Sequence, residues 1–181
     1  MKMLLFGLSL LITSGCTVLP KAETYAVHDF GFALSASDSS QTSQAQINVI
    51  APDWLADNRI RYRLLYSEPT QVRFYTLDRW IAPPNDLIEQ LLLTKLSNQT
   101  WPLTIQLQSF EQQFNLPGHD EAVMTFQAIS FAGSSENPTS EKDFFLKENC
   151  PTADAKGAVT AFSRLTPRAA DEIMRWLNQS N

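Results

Sequence analysis

Apolar and polar residues alternate along several short segments of the chain, and this period of two predicts β-strands. The clearest segment is Ile60 to Tyr66, in which Arg61 and Arg63 share one face and the larger apolar residues share the other. The same reasoning predicts strands over residues 25–34, 47–50, 70–80, 103–114, 122–131 and 143–147. Breaker residues at 67–69 and 116–118 predict hairpins, and a phase change near Ser109 predicts a bulge. Residues 35–46 and 133–141 are predicted to be polar loops.

A period near 3.6 replaces this alternation in two regions and predicts helices. The first region begins at Pro83-Pro84-Asn85, with Asn85 as the expected N-cap, and continues through a leucine-rich stripe to Leu96. The second runs from Ala155 to Leu177, where Thr166-Pro167 either starts a new helix or kinks a long one. We therefore expect an α+β domain, with a mixed β-sheet and with the mid-chain and C-terminal helices packed on one face.

The N-terminus has the features of an export signal. Lys2 precedes a short apolar run that is too short to span a bilayer, and small residues lead to Cys16. The small residues before Cys16 resemble a bacterial lipobox, although Thr13 stands where leucine is usual. We interpret residues 1–15 as a lipoprotein signal peptide and Cys16 as the lipid attachment site. An ordinary secretory peptide with a chance cysteine is the alternative.

Residues 16–24 are then the lipidated N-terminus and a short tether, and residues 25–181 are one domain. Eight extended residues reach at most about 26 to 29 Å, so the domain stays close to its membrane. With residues 1–15 removed, the formal charge of −5 becomes −6, because Lys2 leaves with them. An acidic chain has no general attraction for nucleic acid or for anionic lipid headgroups, so we expect no nucleic-acid partner and expect membrane attachment through the N-terminal lipid. Cys150 is left without a partner and is expected to be a buried structural cysteine rather than a reactive thiol.

Motifs for catalysis or metal binding are absent from the sequence. Neither His28 nor His119 lies in a metal-binding pattern, and there is no nucleophile elbow or phosphate loop. Asp53 and Asp57 form a carboxylate pair, but turn formation explains aspartates in this setting better. We predict no enzymatic activity, no catalytic residues, no cofactor and no bound metal.

Aromatic residues, arginines and prolines cluster between residues 51 and 84. Trp, Tyr and Arg are the residue types enriched at interface hot spots. The same residues also serve structural roles, such as covering sheet edges, so both interpretations stay open. The candidate partner-binding or structural residues are Trp54, Arg61, Tyr62, Tyr75, Arg79 and Trp80.

The order of these motifs resembles the ABC-type transport auxiliary lipoproteins, which include the PqiC-like proteins. The shared order is Ala51-Pro-x-Trp-Leu, Ile60-x-Tyr-Arg, a tyrosine, Arg79-Trp80, Pro83-Pro84 and a leucine-rich helix. The later strands and a helix ending near Trp176-Leu177 also fit, so the resemblance covers residues 24–178. Pro167 departs from the family's more often uninterrupted final helix.

This resemblance implies a role that composition does not show. Such lipoproteins accompany ABC systems with an MCE-domain substrate-binding protein, a permease and an ATPase, which move lipids or other hydrophobic molecules between two membranes. The implied role is a non-enzymatic docking or assembly subunit at the periplasmic face of the outer membrane, often a ring-like homo-oligomer. Thr17, in place of aspartate after the cysteine, agrees with the outer membrane. The alternatives are a lipid-anchored periplasmic lipid-binding or hydrolytic domain and an envelope-assembly lipoprotein.

Overall fold

A computed structural model describes residues 24–31, 46–97, 101–132 and 138–180 of the 181-residue chain. The proposed signal peptide, Cys16, most of the tether and nearly all of the polar loop at 35–46 lie outside the described residues. The elements in chain order are β1 (Ala26–His28), β2 (Ile47–Ile50), β3 (Arg59–Leu64), β4 (Arg73–Trp80), α1 (Pro84–Lys95), β5 (Leu103–Leu116), β6 (His119–Phe131), β7 (Pro138–Asn149) and α2 (Ala155–Ser180).

The described strands form one mixed sheet in the order β1-β4-β3-β5-β6-β7, with β2 also paired to β5. Two strands share one edge of β5: β2 pairs in parallel with its first residues, and β3 pairs in parallel with its last. Strands β5, β6 and β7 are antiparallel neighbours. Helices α1 and α2 pack side by side on one face of this sheet. The α+β fold and its one-sided helical layer are therefore confirmed.

Helix α1 forms where the leucine stripe predicts it, because that stripe is the face buried against the sheet. Leu87, Ile88, Leu91 and Leu92 are all buried. The predicted N-cap is wrong by two positions: Pro83 is the N-cap and Pro84 the first helical residue, where the missing N–H costs nothing. Asn85 lies inside the first turn.

Helix α2 is a single element that contains Pro167, so no new helix starts there. Thr166 is buried and donates its hydroxyl hydrogen to the Phe162 carbonyl 2.9 Å away. Ala161, Leu165 and Ile173 are almost fully buried on the inner face. The fixed φ of proline, near −65°, is compatible with helical geometry. The packing of the inner face then holds the helix together at the position where Pro167 has no N–H to donate.

Several strand boundaries differ from the sequence-based expectation. Strand β1 is confirmed over Ala26–His28, while residues 32–34 of the predicted strand lie outside the described residues. Strand β4 begins at Arg73 rather than at residue 70. The last strand is much longer than predicted: β7 spans Pro138–Asn149, so the predicted loop at 133–141 is wrong over its last four residues, and its first five lie outside the described part of the chain. Pairing with β6 along this whole length stabilises a segment whose polar composition alone favours a loop.

The long β5–β6 hairpin has both irregularities that the sequence indicates. Its register shifts between Leu107 and Ser109, as the phase change predicts. Its turn contains Gly118 at φ +75, a conformation that glycine adopts without a steric penalty. The bulge moves Phe110 back onto the inner face, where its ring stacks on Phe162 of α2 at a centroid distance of 3.8 Å.

Candidate docking surface

The six residues that the sequence singles out divide between the two faces of the sheet. Three point towards the helices: Tyr62, Tyr75 and Trp80. The other three are associated with the opposite side, which we call the helix-free face: Trp54, Arg61 and Arg79. This division separates three residues that pack on the inner face from three on the side that the helices leave uncovered.

Trp80 is a core residue. It is 1% exposed and makes edge-to-face contacts with Phe30, Phe110 and Phe162 at centroid distances of 5.4 to 5.8 Å. This aromatic group joins β4, β5 and α2. The structural interpretation therefore applies to Trp80.

Tyr62 and Tyr75 also have structural roles on the inner face. Their rings lie 4.7 Å apart, and the Tyr75 hydroxyl donates to Gln112 Oε1 at 2.6 Å. The Gln112 amide is fully buried and donates in turn to the Asp120 carboxylate. Burial and the nearby Tyr62 raise the pKa of Tyr75 above its usual value. The phenol therefore remains a neutral donor in a buried polar network.

Arg61 is the buried anchor of the loop between β2 and β3. Its side chain is 2% exposed, and its guanidinium donates to the Trp54 carbonyl at 2.5 Å and to the Arg59 carbonyl at 3.3 Å. It also pairs with Asp57 at 2.9 Å. A planar guanidinium satisfies several acceptors at once, so one side chain fixes residues 51–58 against the sheet.

Asp57 completes this arrangement from within the same loop. Burial by itself would raise the pKa of Asp57. Hydrogen bonds from the side chain and backbone N–H of Arg59, and the charge of Arg61, outweigh burial and hold that pKa below its usual range. Asp57 therefore stays ionised at neutral pH and is a turn former, as the sequence predicts.

The anchored loop presents Trp54 to solvent. Its side chain is 58% exposed, although tryptophan has a large apolar surface that is usually covered. Beside it lies an open groove of about 460 Å³ on the helix-free face. The groove is lined by Ile50, Ala51, Pro52, Trp54, Gln106, Leu107 and Gln108. We call this groove, including the exposed Trp54 side chain that borders it, the Trp54 groove.

Two groove residues are missing from the sequence-based candidates. Ile50 is exposed because it stands on the helix-free face of β2, opposite Gln106. Gln108 is the extra residue of the β5 bulge. The phase change near Ser109 is the one sequence signal that marks this position, since bulges often re-aim side chains at functional sites.

Arg79 lies further along the same face. Its guanidinium carbon is 4.7 Å from the centroid of the Tyr25 ring, and it stands opposite Arg59 in the β3–β4 pair. The geometry thus brings Tyr25 to a residue more than fifty positions away in sequence. Periodicity within single segments gives no indication of this contact.

The remaining chemistry-bearing residues do not converge on a reactive site. His28 pairs with Asp78 at 2.7 Å, and Cys150 is a free thiol that is partly buried. Burial and a hydrogen bond with Asp120 raise the pKa of Cys150, so the thiol is protonated at neutral pH. Within residues 24–31, 46–97, 101–132 and 138–180, no group of three or more potential metal-ligating side chains occurs.

None of the helices in the described part of the chain is long and apolar enough to cross a membrane. An exposed tryptophan beside a groove, on a sheet face that the two helices leave uncovered, is typical of a domain that acts by binding.

Comparison with known proteins identifies the family of the chain. The chain belongs to the family described as the ABC-type transport auxiliary lipoprotein component, whose model matches residues 32–174. It is therefore an auxiliary component of an ABC transport system.

Two crystal structures share the fold. A DUF330-family protein from Xanthomonas campestris superposes with a TM-score of 0.66 at 16% identity, covering 87% of this chain and 94% of that one. An uncharacterised protein superposes with a TM-score of 0.63 at 14% identity, covering 86% of this chain and 99% of that one. At these identities the likeness shows the fold alone. No curated protein sequence matches the chain.

Proposed function

We propose that this chain is a non-enzymatic accessory lipoprotein of an MCE-type ABC system that transports lipids or other hydrophobic molecules. In this proposal Cys16 carries the lipid anchor at the periplasmic face of the outer membrane. The folded domain is the docking or assembly subunit for the MCE-domain periplasmic protein and its permease and ATPase. Membership of the transport auxiliary lipoprotein family is the observation that carries the proposal.

The Trp54 groove is the surface that we assign to the periplasmic partner. Trp54 is exposed, yet the loop that carries it is fixed by the buried Arg61. A rigid aromatic side chain loses little conformational entropy on binding and buries much apolar area, which makes it an effective hot spot. Among the six candidates it combines high exposure with a fixed backbone.

Self-association is part of the same proposal. The outer strands β1 and β7 each leave one backbone edge unpaired within the described sheet. Unpaired edges are available for pairing with another copy of the chain. The assembly state is measured directly by light scattering of the detergent-solubilised protein.

The alternative of a lipid-binding domain receives little support from the interior of the fold. One cavity between the helices and the sheet, lined by residues such as Leu92, Leu107 and Phe126, measures about 10 Å³. That is room for about one water molecule and not for an acyl chain. The core around this cavity is therefore closely packed, and we assign lipid passage to the partner.

A photo-crosslinking residue at position 54 tests the proposed docking. We expect a crosslink to the MCE-domain protein in intact cells. The matched control is position 145, because Phe145 is 64% exposed on the same face but at the far edge of the sheet. Trp54→Ala should weaken the association by roughly thirtyfold, the effect of losing an interface hot spot of about 2 kcal/mol. Equal crosslinking from both positions, or none from position 54, would contradict the proposal.

A further inference from the structure

We propose that a second surface of the helix-free face rests on the membrane that holds the lipid anchor. This edge patch consists of Tyr25, Val27, Leu77 and Arg79, and its partner is an anionic lipid headgroup layer. The proposal rests on the proposed function through the lipid anchor at Cys16 alone. It does not depend on which protein occupies the Trp54 groove.

Strand pairing places the four residues together. In the parallel β1–β4 pair, Val27 stands beside Arg79. Tyr25 and Leu77 precede these residues by two positions, so strand alternation puts them on the same face. The contact between the Arg79 guanidinium and the Tyr25 ring confirms this placement. The edge patch is therefore continuous and lies at the outer edge of the sheet.

Its apolar members are unusually open to solvent. Tyr25 and Val27 are each 52% exposed, and Leu77 is 47% exposed. Covering three neighbouring exposed apolar residues at a sheet edge with an apolar surface is favourable, because it removes their side chains from water. Tyrosine favours membrane–water interfaces in particular, since its ring is apolar and its hydroxyl remains hydrated.

The charge of the edge patch favours an anionic cover. Arg79 stands opposite Arg59, and like charges in directly opposed positions repel. Asp57 pairs with Arg59 at 2.6 Å, whereas Arg79 forms no ion pair among the described residues. The Arg79 Nε is also buried without a hydrogen-bond partner there. A lipid phosphate supplies the missing counter-charge, and guanidinium groups bind phosphate well.

The position of the edge patch along the chain selects a membrane as that cover. Only residues 17–24 separate Cys16 from Tyr25, a reach of at most about 29 Å when fully extended. The edge patch is thus the first part of the described domain after the anchor. The Trp54 groove lies over β2 and β5, away from this edge, and remains available to a protein partner.

The test uses the full-length lipidated protein in vesicles. Cys150→Ala removes the native thiol, and Val27→Cys then carries an environment-sensitive fluorophore. Phe145→Cys, on the edge strand at the opposite side of the sheet, is the matched control. The vesicles contain phosphatidylethanolamine and phosphatidylglycerol with brominated acyl chains, which quench a label that lies within the interface.

We expect quenching of the label at position 27 to be at least about twice that at position 145. Neutral phosphatidylcholine vesicles, 0.5 M salt or Arg79→Gln should each lower the equilibrium constant for contact of the edge patch with the membrane about fivefold, as measured by the quenching at position 27, which is the effect expected for loss of one basic contact. The lipid and salt comparisons leave Arg79 intact, so they hold even if the substitution disturbs the fold. Equal quenching at both positions overturns the proposal.

A further outcome separates a protein cover from a membrane cover. If iodide cannot reach the label at position 27 in neutral vesicles and bromine does not quench it, another copy or another segment of this chain covers the edge patch, and the proposal fails. Mass spectrometry of the same preparation reports the lipid on Cys16. A lipidated chain with equal quenching contradicts the edge patch alone, whereas an unmodified Cys16 contradicts the anchor.

Discussion

Arg61→Met is the sharpest test of how the docking surface is held. Methionine keeps most of the side-chain volume but removes the donors to the Trp54 carbonyl and the ion pair with Asp57. Removing one partner of a buried charge pair costs about 3 to 5 kcal/mol. Asp57 is 31% exposed and keeps Arg59 at 2.6 Å, which places the expected cost at the lower end. We expect the free energy of unfolding to fall by about 3 kcal/mol.

The matched control is Arg59→Met, which removes from the same strand a guanidinium that pairs with the same aspartate. Arg59 is 46% exposed, so its pair with Asp57 is screened by water. Together with its contact over the Phe74 ring at 3.8 Å, this side chain should contribute only about 1 kcal/mol. Urea unfolding of both variants, fitted with a common m-value, measures the difference.

A local measurement separates loosening of the loop from general destabilisation. The amides of Leu55 and Ala56 donate to the Pro52 carbonyl at 2.8 and 3.2 Å inside the anchored loop. Their hydrogen exchange should accelerate in Arg61→Met and change little in Arg59→Met. Equal unfolding free energies for the two variants, or unchanged exchange in Arg61→Met, would refute the assignment of Arg61 as the anchor.

Two further predictions concern the inner side of the domain. Gly157→Ala should destabilise the protein by about 2 kcal/mol or more, because the added Cβ would lie 1.7 Å from the Thr152 carbonyl oxygen. Alanine is the better helix former, so helix propensity alone predicts the opposite change. Thermal unfolding should therefore show a clear loss of stability rather than a gain. The Cys150 thiol should resist alkylation at pH 8 until the chain unfolds, since burial raises its pKa. Above about pH 9 the unfolded thiol releases its proton while the folded one keeps it, so stability should fall more steeply with pH in the native chain than in Cys150→Ala; identical slopes in urea titrations would contradict this.

Hydrophobic periodicity predicted the elements well where the alternation of buried and exposed positions can be followed along a single segment. The stripe of α1 is buried as expected, because Leu87, Leu91 and Leu92 lie on the face that packs against the sheet and α2. The bulge near Ser109 was also predictable, since an extra residue must reverse the alternation. In both cases the pattern within one segment contains the information that packing uses.

The sequence did not predict which face of the sheet each candidate side chain occupies, because an irregularity in β4 reverses the alternation of faces along that strand. Arg59 pairs with Arg79 and Arg61 with Phe74, so one residue of β3 stands opposite four of β4. Tyr75 and Trp80 consequently both face the helices, although a regular strand would place residues five apart on opposite faces. Pairing between strands sets this irregularity, and no periodicity within β4 reports it.

The exposure of Trp54 follows from the topology of the sheet. Strands β2 and β3 both run parallel to β5 along the same edge, one after the other, and do not pair with each other. Their connection therefore needs no helical crossover, and the chain between Ile50 and Arg59 loops out where β5 carries its bulge. The groove arises at this interruption, and the buried Arg61 stabilises the loop that borders it. The aromatic core around Trp80 lies on the other face, so the exposed Trp54 side chain takes no part in the packing that holds β4, β5 and α2 together.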